Sequence, residues 1–472
     1  MGYTTGKRME PMITAGLDIG TTSISGLLYD LEKRTILYSI TEAQASLPFS
    51  LNQEWERLQD PELIVKQVEH ILERLLAHQP EVTGIGLTGQ MHGIVYLDTS
   101  GRAIGPLHTW QDGRAGQLTG GMDSPTYAQQ FSNLTGYTVA PGYGLATHYY
   151  NVSGQLVPEG AVGFCTIADY IAMRLANGDI PLIDATQAAG IGGFSLGTGD
   201  FDRTPISMAG IDCSLLPKVV PSGTAIGSTA QGIPVYTSLG DNQASFLGSV
   251  PQPGESLLLN IGTGSQLSAW VPDCANAPST MEVRPFPGGG VLMVGAALSG
   301  GKSYALLEGF FRQLITAYTG EAPTDVYSLM SRLLSEEVPG SGITGLMVNT
   351  QFLGTRTDPE KRGSVEGITL ENFTPGGLAH AFLQGMVDEL HSFLAEPEQQ
   401  GAGTFSRLIG SGNALRSNPV LCAKAEAAFG LPLELGEHAE EAAVGAALCA
   451  AVGSGEIASF REAGAYLRAE PS

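Results

Sequence analysis

Basic residues are scarce in this chain: 24 Lys and Arg stand against 47 Asp and Glu, a formal net charge of −23. The deficit is even along the chain. Residues 1–250 carry 12 basic and 23 acidic side chains, and the remainder carries 12 and 24. Neither half offers the cationic surface that a phosphate backbone demands, so no nucleic-acid partner is expected. Cysteine is sparse too. Cys165, Cys213, Cys274, Cys422 and Cys449 are scattered, odd in number and never spaced as CxxC, which argues against a disulfide framework or a zinc site. The eight histidines show no HExxH-type spacing. No apolar run reaches the ~18 residues of a membrane span. The first dozen residues lack a signal peptide's apolar stretch and read as a loose tail. A cytoplasmic protein with no membrane partner is the expectation. What is present suits a large core: 43% of residues are hydrophobic and 15% charged. At 472 residues, two or three domains are expected.

One phrase occurs twice. Leu17-Asp18-Ile19-Gly20-Thr21-Thr22-Ser23 stands near the start, and Leu259-Asn260-Ile261-Gly262-Thr263-Gly264-Ser265 just past the middle. Each follows an apolar run and reads as a strand turning sharply into a second strand. Such turns expose backbone N–H groups and small hydroxyls, the groups that cradle a phosphate chain. Two of them on duplicated halves suggest an enzyme that uses ATP.

The surrounding pattern is α/β. Strands are expected over 13–18, 82–87 and 94–97, with a helix over 60–78. Asp60 is placed to cap that helix and Pro61 suits its first turn. The second half repeats the order. Strands are expected over 256–260, 346–352 and 405–409, with helices over 303–319, from Thr374-Pro375, from Asn418-Pro419, and over 442–452. Residues 116–220 are rich in Gly, Pro, Thr and Ala and read as loops and short helices packed on the sheet.

Several residues carry chemistry. Asp18 closes the first strand at the phosphate-type turn, where a carboxylate can hold magnesium directly or through water. The ordinary alternative is a turn Asp bonding its own backbone. Asp241, in Gly240-Asp241-Asn242-Gln243, sits where a strand yields to a helix. It is suited to accept a proton from a substrate hydroxyl, or simply to cap the helix. His92 lies between glycines in Gly89-Gln90-Met91-His92-Gly93, which leaves its ring accessible to a substrate; the ordinary alternative is a satisfied structural histidine. Thr109-Trp110-Gln111-Asp112-Gly113-Arg114 combines a flat apolar face with bidentate polar groups, the mixture that binds sugars, or else forms a loop around a buried salt bridge. Two phrases are set aside. Gly301-Lys302-Ser303 ends like a P-loop, but Ala296 stands where the first glycine is required. Gly193-Phe194-Ser195-Leu196-Gly197 matches GxSxG but follows no long buried strand.

The ordered set DIGTTS, TGQMHG, TWQDGR, GDNQAS, NIGTGSQ and GSGNALRSNPVL resembles the FGGY family of carbohydrate kinases, from Gly16 to about Leu448. The resemblance implies an α/β fold of two actin-like (ribonuclease H-like) domains flanking an ATP and sugar cleft that closes. It implies an N-terminal domain over 1–250 with the sugar site and base, and a C-terminal domain over 251–472 with the ATP site. Asp241 would be the general base, and Asp18 would position Mg2+. Thr21, Thr22 and Ser23 would lie near the transferred phosphoryl group. Gly262 and Thr263 would cradle phosphates from the other side. Gly410, Gly412, Asn413, Ser417 and Asn418 would line the adenosine side. Met91, His92, Trp110, Asp112, Arg114 and Asn242 would surround the sugar. Within the family, GQMHG is shared by ketose kinases, and TWQDGR is similar to the form in sedoheptulokinases. The expected reaction is ATP-dependent phosphorylation of a ketose's terminal hydroxyl, with sedoheptulose the first choice and xylulose the second. An actin- or chaperone-like ATPase that drives protein binding is the reading from a different class. A homodimer is left open.

Overall fold

The computed structural model describes residues 12–44, 53–262, 264–275, 277–336, 345–355, 358, 360–394 and 405–467. The chain forms two compact units. One comprises Met1–Pro251, Arg284–Gly289 and Glu440–Ser472, the other Gln252–Val283 and Gly290–Ala439.

The first unit is built on a seven-stranded sheet. Ile13–Ile19 runs antiparallel to Ser23–Asp30, which pairs in turn with Thr35–Ala43. On its other side Ile13–Ile19 runs parallel to Gly84–Gly89, which is parallel to Pro234–Tyr236 and Leu239–Gly240. The central strands are nearly continuously apolar because both faces are covered. On one face lies helix Pro61–His78, whose Ile64, Val68, Ile71, Leu72 and Leu75 are buried. It starts where expected: Asp60 Oδ1 accepts the N–H groups of Glu62 and Leu63 at 2.9 and 3.3 Å. A Cβ at Gly26 would reach Ile71 on this helix at 2.6 Å.

On the opposite face lies helix Glu441–Ser454. It is apolar all round, and Ala443 through Ala451 are all buried. Its backbone sits directly on the sheet. A Cβ at Gly16 would fall 1.9 Å from the Ala443 carbonyl oxygen, and one at Gly86 1.8 Å from that of Ala446. This contact of small residues is why the helix packs with the first unit, whereas a division at residue 250 assigns it to the second. Arg284–Gly289 likewise belongs to the first unit.

Residues 116–220 are more ordered than their composition suggests. Helices Tyr127–Thr135, Gly144–Ser153, Ala185–Ile191 and Arg203–Met208 contribute to a separate core containing Phe131, Leu145, Phe164, Ile191 and Ile206. Helix Ile167–Leu175 packs into the core of the sheet instead. Ser195 of the GxSxG phrase lies in a two-residue strand paired with Asp200–Phe201, not at a strand-to-helix turn.

The second unit repeats the sheet order. Ser256–Ile261 is antiparallel to Ser265–Val271, which pairs with Val291–Ala297. On the other side Ser256–Ile261 runs parallel to Arg407–Ser411, which is parallel to Leu433–Leu435. Its helices start at expected caps: Thr374 Oγ1 accepts the Gly377 N–H, and Asn418 Oδ1 the Leu421 N–H. The strand expected over 346–352 is shorter, Met347–Asn349, and pairs with Ser364–Glu366 outside this sheet.

Candidate active site

In the first unit, the turn after Ile13–Ile19 places Asp18 and Thr21 at the carboxyl end of the parallel strands. Here neighbouring strands diverge and side chains can converge on a ligand. Asp18 is paired in register with Thr88, whose hydroxyl donates to the Leu239 carbonyl at 2.9 Å. Leu239–Gly240 ends two residues before Asn242, so this bond ties the first turn to Asp241. Burial, and then the nearby charges of Asp241 and Glu440, push the Asp18 carboxyl up to about 7. Glu440 itself accepts from the Thr41 hydroxyl at 3.1 Å.

Asp241 is the first residue of helix Asp241–Leu247, and the cap position is Gly240. The capping alternative therefore does not describe it. Its Oδ1 accepts the Asn242 N–H at 2.7 Å and Asn242 Nδ2 at 3.0 Å. Among the described residues Oδ2 receives no hydrogen bond. Burial raises the Asp241 pKa, and the Arg284 guanidinium and the Asn242 bonds oppose that rise. The preceding backbone is clamped. Gly240 N–H donates to Thr186 Oγ1 at 2.8 Å, Gln187 Nε2 donates to the Leu239 carbonyl at 2.9 Å, and the Ser238 hydroxyl donates to Asp169 at 2.7 Å.

The expected sugar residues divide into two groups. Met91 is buried, with its sulfur 3.8 Å from Asn242 Nδ2. His92 has φ of +75°, and its Nδ1 lies 2.6 Å from the Gly190 carbonyl. Its ring lies against Tyr143 at 4.3 Å. Trp110 is 46% exposed and donates through Nε1 to Thr21 Oγ1 at 2.9 Å. Of these, Trp110 is exposed and His92 half-buried, while Met91 is buried against Asn242. Asp112 and Arg114 form the second group. Arg114 Nε donates to Asp112 Oδ1 at 2.6 Å, and Arg114 Nη1 to Asn151 Oδ1 at 2.8 Å. Asp112 Oδ2 also accepts the Arg57 N–H, and the guanidinium lies over the Trp55 ring. Both are buried and satisfied by protein, so they brace the loop that carries Trp110.

Gly20, Thr21 and Thr22 form the turn itself, and Ser23 opens the next strand. Thr22 is exposed, and its carbonyl accepts the Gln44 N–H. Gln90 and Gln59 complete the surroundings: Thr21 Oγ1 donates to Gln90 Oε1 at 3.4 Å, and Gln59 Nε2 to the Thr21 carbonyl at 2.9 Å.

The second unit holds a cavity of about 790 Å³. At one end the Gly301 N–H donates to the Gly262 carbonyl at 3.1 Å. Gly412, with φ of +87°, approaches so closely that a Cβ would fall 2.5 Å from the Ile261 carbonyl oxygen. Elsewhere Tyr304 and Tyr327 stand with ring centroids 6.1 Å apart, and Leu383, Met386 and Leu421 add apolar lining. Glycine turns at one end and aromatic and apolar walls elsewhere suit a nucleotide. Of the residues expected on the ATP side, Gly262, Gly412, Asn413, Ser417 and Asn418 line this cavity. Gly410 lies within strand Arg407–Ser411, packed against leucines, and does not line it. Asn418 spends its side-chain oxygen on capping. Thr263 lies outside the described residues.

Sequence reasoning missed Glu440, Arg284, Thr186, Gln90, Lys302, Tyr304 and Tyr327. Gln90 and Lys302 stood inside phrases already noted; the others carried no local signal. Among the described residues, no three His, Cys, Asp or Glu side chains converge as a metal cage. Magnesium, however, is commonly held by one or two carboxylates together with substrate phosphates. Burial and then the charges of Asp241 and Glu440 raise the Asp18 pKa, and a divalent cation would offset both, so the residues fit it. No described helix is long and apolar enough to cross a membrane.

Comparison with known proteins bears on the family and the fold. Residues 13–248 match the FGGY family of carbohydrate kinases, N-terminal domain, and residues 281–454 match its C-terminal domain. Sedoheptulokinase of Homo sapiens is 30% identical over 92% of this chain and 96% of its own length. A xylulose kinase from Rhodospirillum rubrum aligns with a TM-score of 0.77 at 25% identity, covering 94% of this chain and 91% of that one. The fold is also that of Plasmodium falciparum glycerol kinase solved with ADP, with a TM-score of 0.81 at 17% identity over 98% and 93% of the two chains.

Proposed function

We propose, from the premise that the chain belongs to the FGGY family of carbohydrate kinases, that it phosphorylates the terminal hydroxyl of a ketose, with sedoheptulose the preferred acceptor. As a member of that family it is an ATP-dependent sugar phosphotransferase working with magnesium. That membership sets aside an ATPase that drives protein binding.

The observation that carries the proposal is Asp241: a carboxylate with a raised pKa, its Oδ1 held by Asn242 and its Oδ2 without a hydrogen bond among the described residues. Such an oxygen is suited to receive a proton. On this reading Oδ2 takes the hydroxyl proton as the sugar oxygen bonds to the terminal phosphorus and the bond from that phosphorus to the bridging oxygen of ADP breaks. Thr88, Thr186 and Gln187 hold the backbone that aims Asp241. Asp18 would hold magnesium, which neutralises phosphate charge when bound. Trp110 offers a flat face to the sugar, and Met91 and Asn242 stand beside the base. The cavity with Gly262, Gly412 and Asn413 would hold the nucleotide. Similarity to human sedoheptulokinase over nearly the whole chain supports the choice of sugar.

The xylulose kinase likeness keeps xylulose as the second reading. A panel of sedoheptulose, xylulose, an aldose and glycerol in an assay coupled to ADP release separates them. Sedoheptulose is expected to give the highest kcat/KM. A higher value for xylulose transfers the assignment to that sugar. Failure of every ketose to raise ADP release above the sugar-free rate would sink the proposal.

A further inference from the structure

We propose that Lys302 is a nucleotide-phosphate ligand: its ammonium group neutralises phosphate oxygens of the nucleotide held in the second unit's cavity. This rests on the kinase reading above and adds a residue to it. The cavity must accept a polyanion in a chain of net charge −23, and its lining includes Asp325. Lys302 is the basic residue among the described lining. It is exposed, and its Nζ has no ion pair or hydrogen bond among the described residues. Two other cations of this unit are engaged: Arg312 pairs with Glu308, and Arg416 donates to the His438 carbonyl.

Its position follows from the backbone. Helix Gly300–Thr319 begins against the Gly262 turn. Gly300 has φ of +39°, and a Cβ there would fall 2.4 Å from the Gly264 carbonyl carbon. Only glycine lets the helix start so close. Lys302 N–H donates to the Ser299 carbonyl at 2.8 Å, which places the residue in the helix's first turn beside Gly301, itself bonded to Gly262. Ala296, where a P-loop needs glycine, lies within strand Val291–Ala297, so no P-loop wraps a phosphate here. The lysine reaches the phosphate end by a different backbone route. A cation in a helix's first turn opposes the macrodipole, so the residue is poorly chosen for stability alone. A bound phosphate reverses that balance.

The test compares ADP and adenosine binding by calorimetry in the full chain, in Lys302→Ala and in Lys302→Arg. Lys302→Ala is expected to weaken ADP by about tenfold or more, as loss of a charged hydrogen bond does. Adenosine, which lacks phosphate, is expected to stay within about twofold. Lys302→Arg is expected to keep most of the ADP affinity, and the melting temperature of Lys302→Ala should be unchanged or higher. Unchanged ADP binding in Lys302→Ala overturns the proposal. So does equal weakening of ADP and adenosine, which would mean that the side chain only shapes the cavity. If the unsubstituted chain binds neither compound, the nucleotide reading of the cavity fails, and this proposal falls with it.

Discussion

The Thr186 hydroxyl accepts the Gly240 N–H at 2.8 Å and donates to Asp184 at 2.7 Å, so a side chain 54 positions away sets the backbone immediately before Asp241. Removing that anchor tests positioning without touching the carboxylate. Thr186→Val is expected to lower kcat by about tenfold or more while KM for the sugar moves little, because misplacement of a catalytic group costs rate more than binding. Thr186→Ser should restore most of the activity. Equal kinetics for Thr186→Val and the unsubstituted enzyme would remove the residue from this role.

Asp241 carries the proposed mechanism. Asp241→Asn keeps the shape and removes the base, so kcat is expected to fall by roughly two orders of magnitude or more, the usual contribution of a positioned base. Sugar and ADP should still bind by calorimetry. A folded variant with near-normal kcat defeats the assignment.

With Asp18 as the proposed metal ligand, the magnesium requirement should depend on pH. The Asp18 carboxyl is pushed up to about 7, so protons and magnesium compete for it near neutrality. The magnesium concentration giving half-maximal rate should rise as pH falls below about 7, approaching tenfold per unit. Asp18→Ala should raise the requirement and abolish this dependence. A requirement that stays constant between about pH 6 and 8 in the unsubstituted enzyme excludes Asp18 as the ligand.

Asp169 should reveal its burial in stability. Burial pushes its carboxyl up to about 7, although the hydroxyls of Ser238 and Thr166 donate to it. The folded pKa is the higher one, so the native state holds the extra proton between the two values. The resulting stability is complete below the unfolded pKa of about 4 and is lost as pH rises through about 7. Thermal melts of the enzyme and of Asp169→Asn should therefore diverge in the enzyme's favour as pH is lowered from about 8 to 5. A gap independent of pH contradicts the shift.

Gly86 tests the seat of helix Glu441–Ser454. A Cβ there would lie 1.8 Å from the Ala446 carbonyl oxygen, whereas one at Gly121 meets nothing within 4 Å. Gly86→Ala should cost about 1–3 kcal/mol or more in urea unfolding, as overpacking does. Gly121→Ala should change stability little. Similar midpoints for the two would mean that the helix is not seated on this strand.

Local chemistry is legible in the amino-acid order. Asp60 with Pro61, Thr374 with Pro375 and Asn418 with Pro419 mark helix starts because capping acts over three residues. The two glycine turns are visible because each follows its own strand. The order of residues alone thus determined the repeated strand–turn–strand units, their helices and the presence of Asp18 and Asp241 at strand ends. Tertiary structure decided which distant residues meet. Asp112 and Arg114 read as sugar ligands or else as a buried salt bridge, and only the fold shows the pair enclosed by Arg57, Asn151 and Trp55. Glu440 acquires meaning from the helix that follows it, which Gly16 and Gly86 admit to the first sheet across more than 350 residues of chain. Lys302 lines the second unit's cavity because its helix starts against the Gly262 turn, a contact between segments about 40 residues apart in the chain. Short-range hydrogen bonding leaves its signature in adjacent residues; close packing between distant segments leaves none until the sheets form.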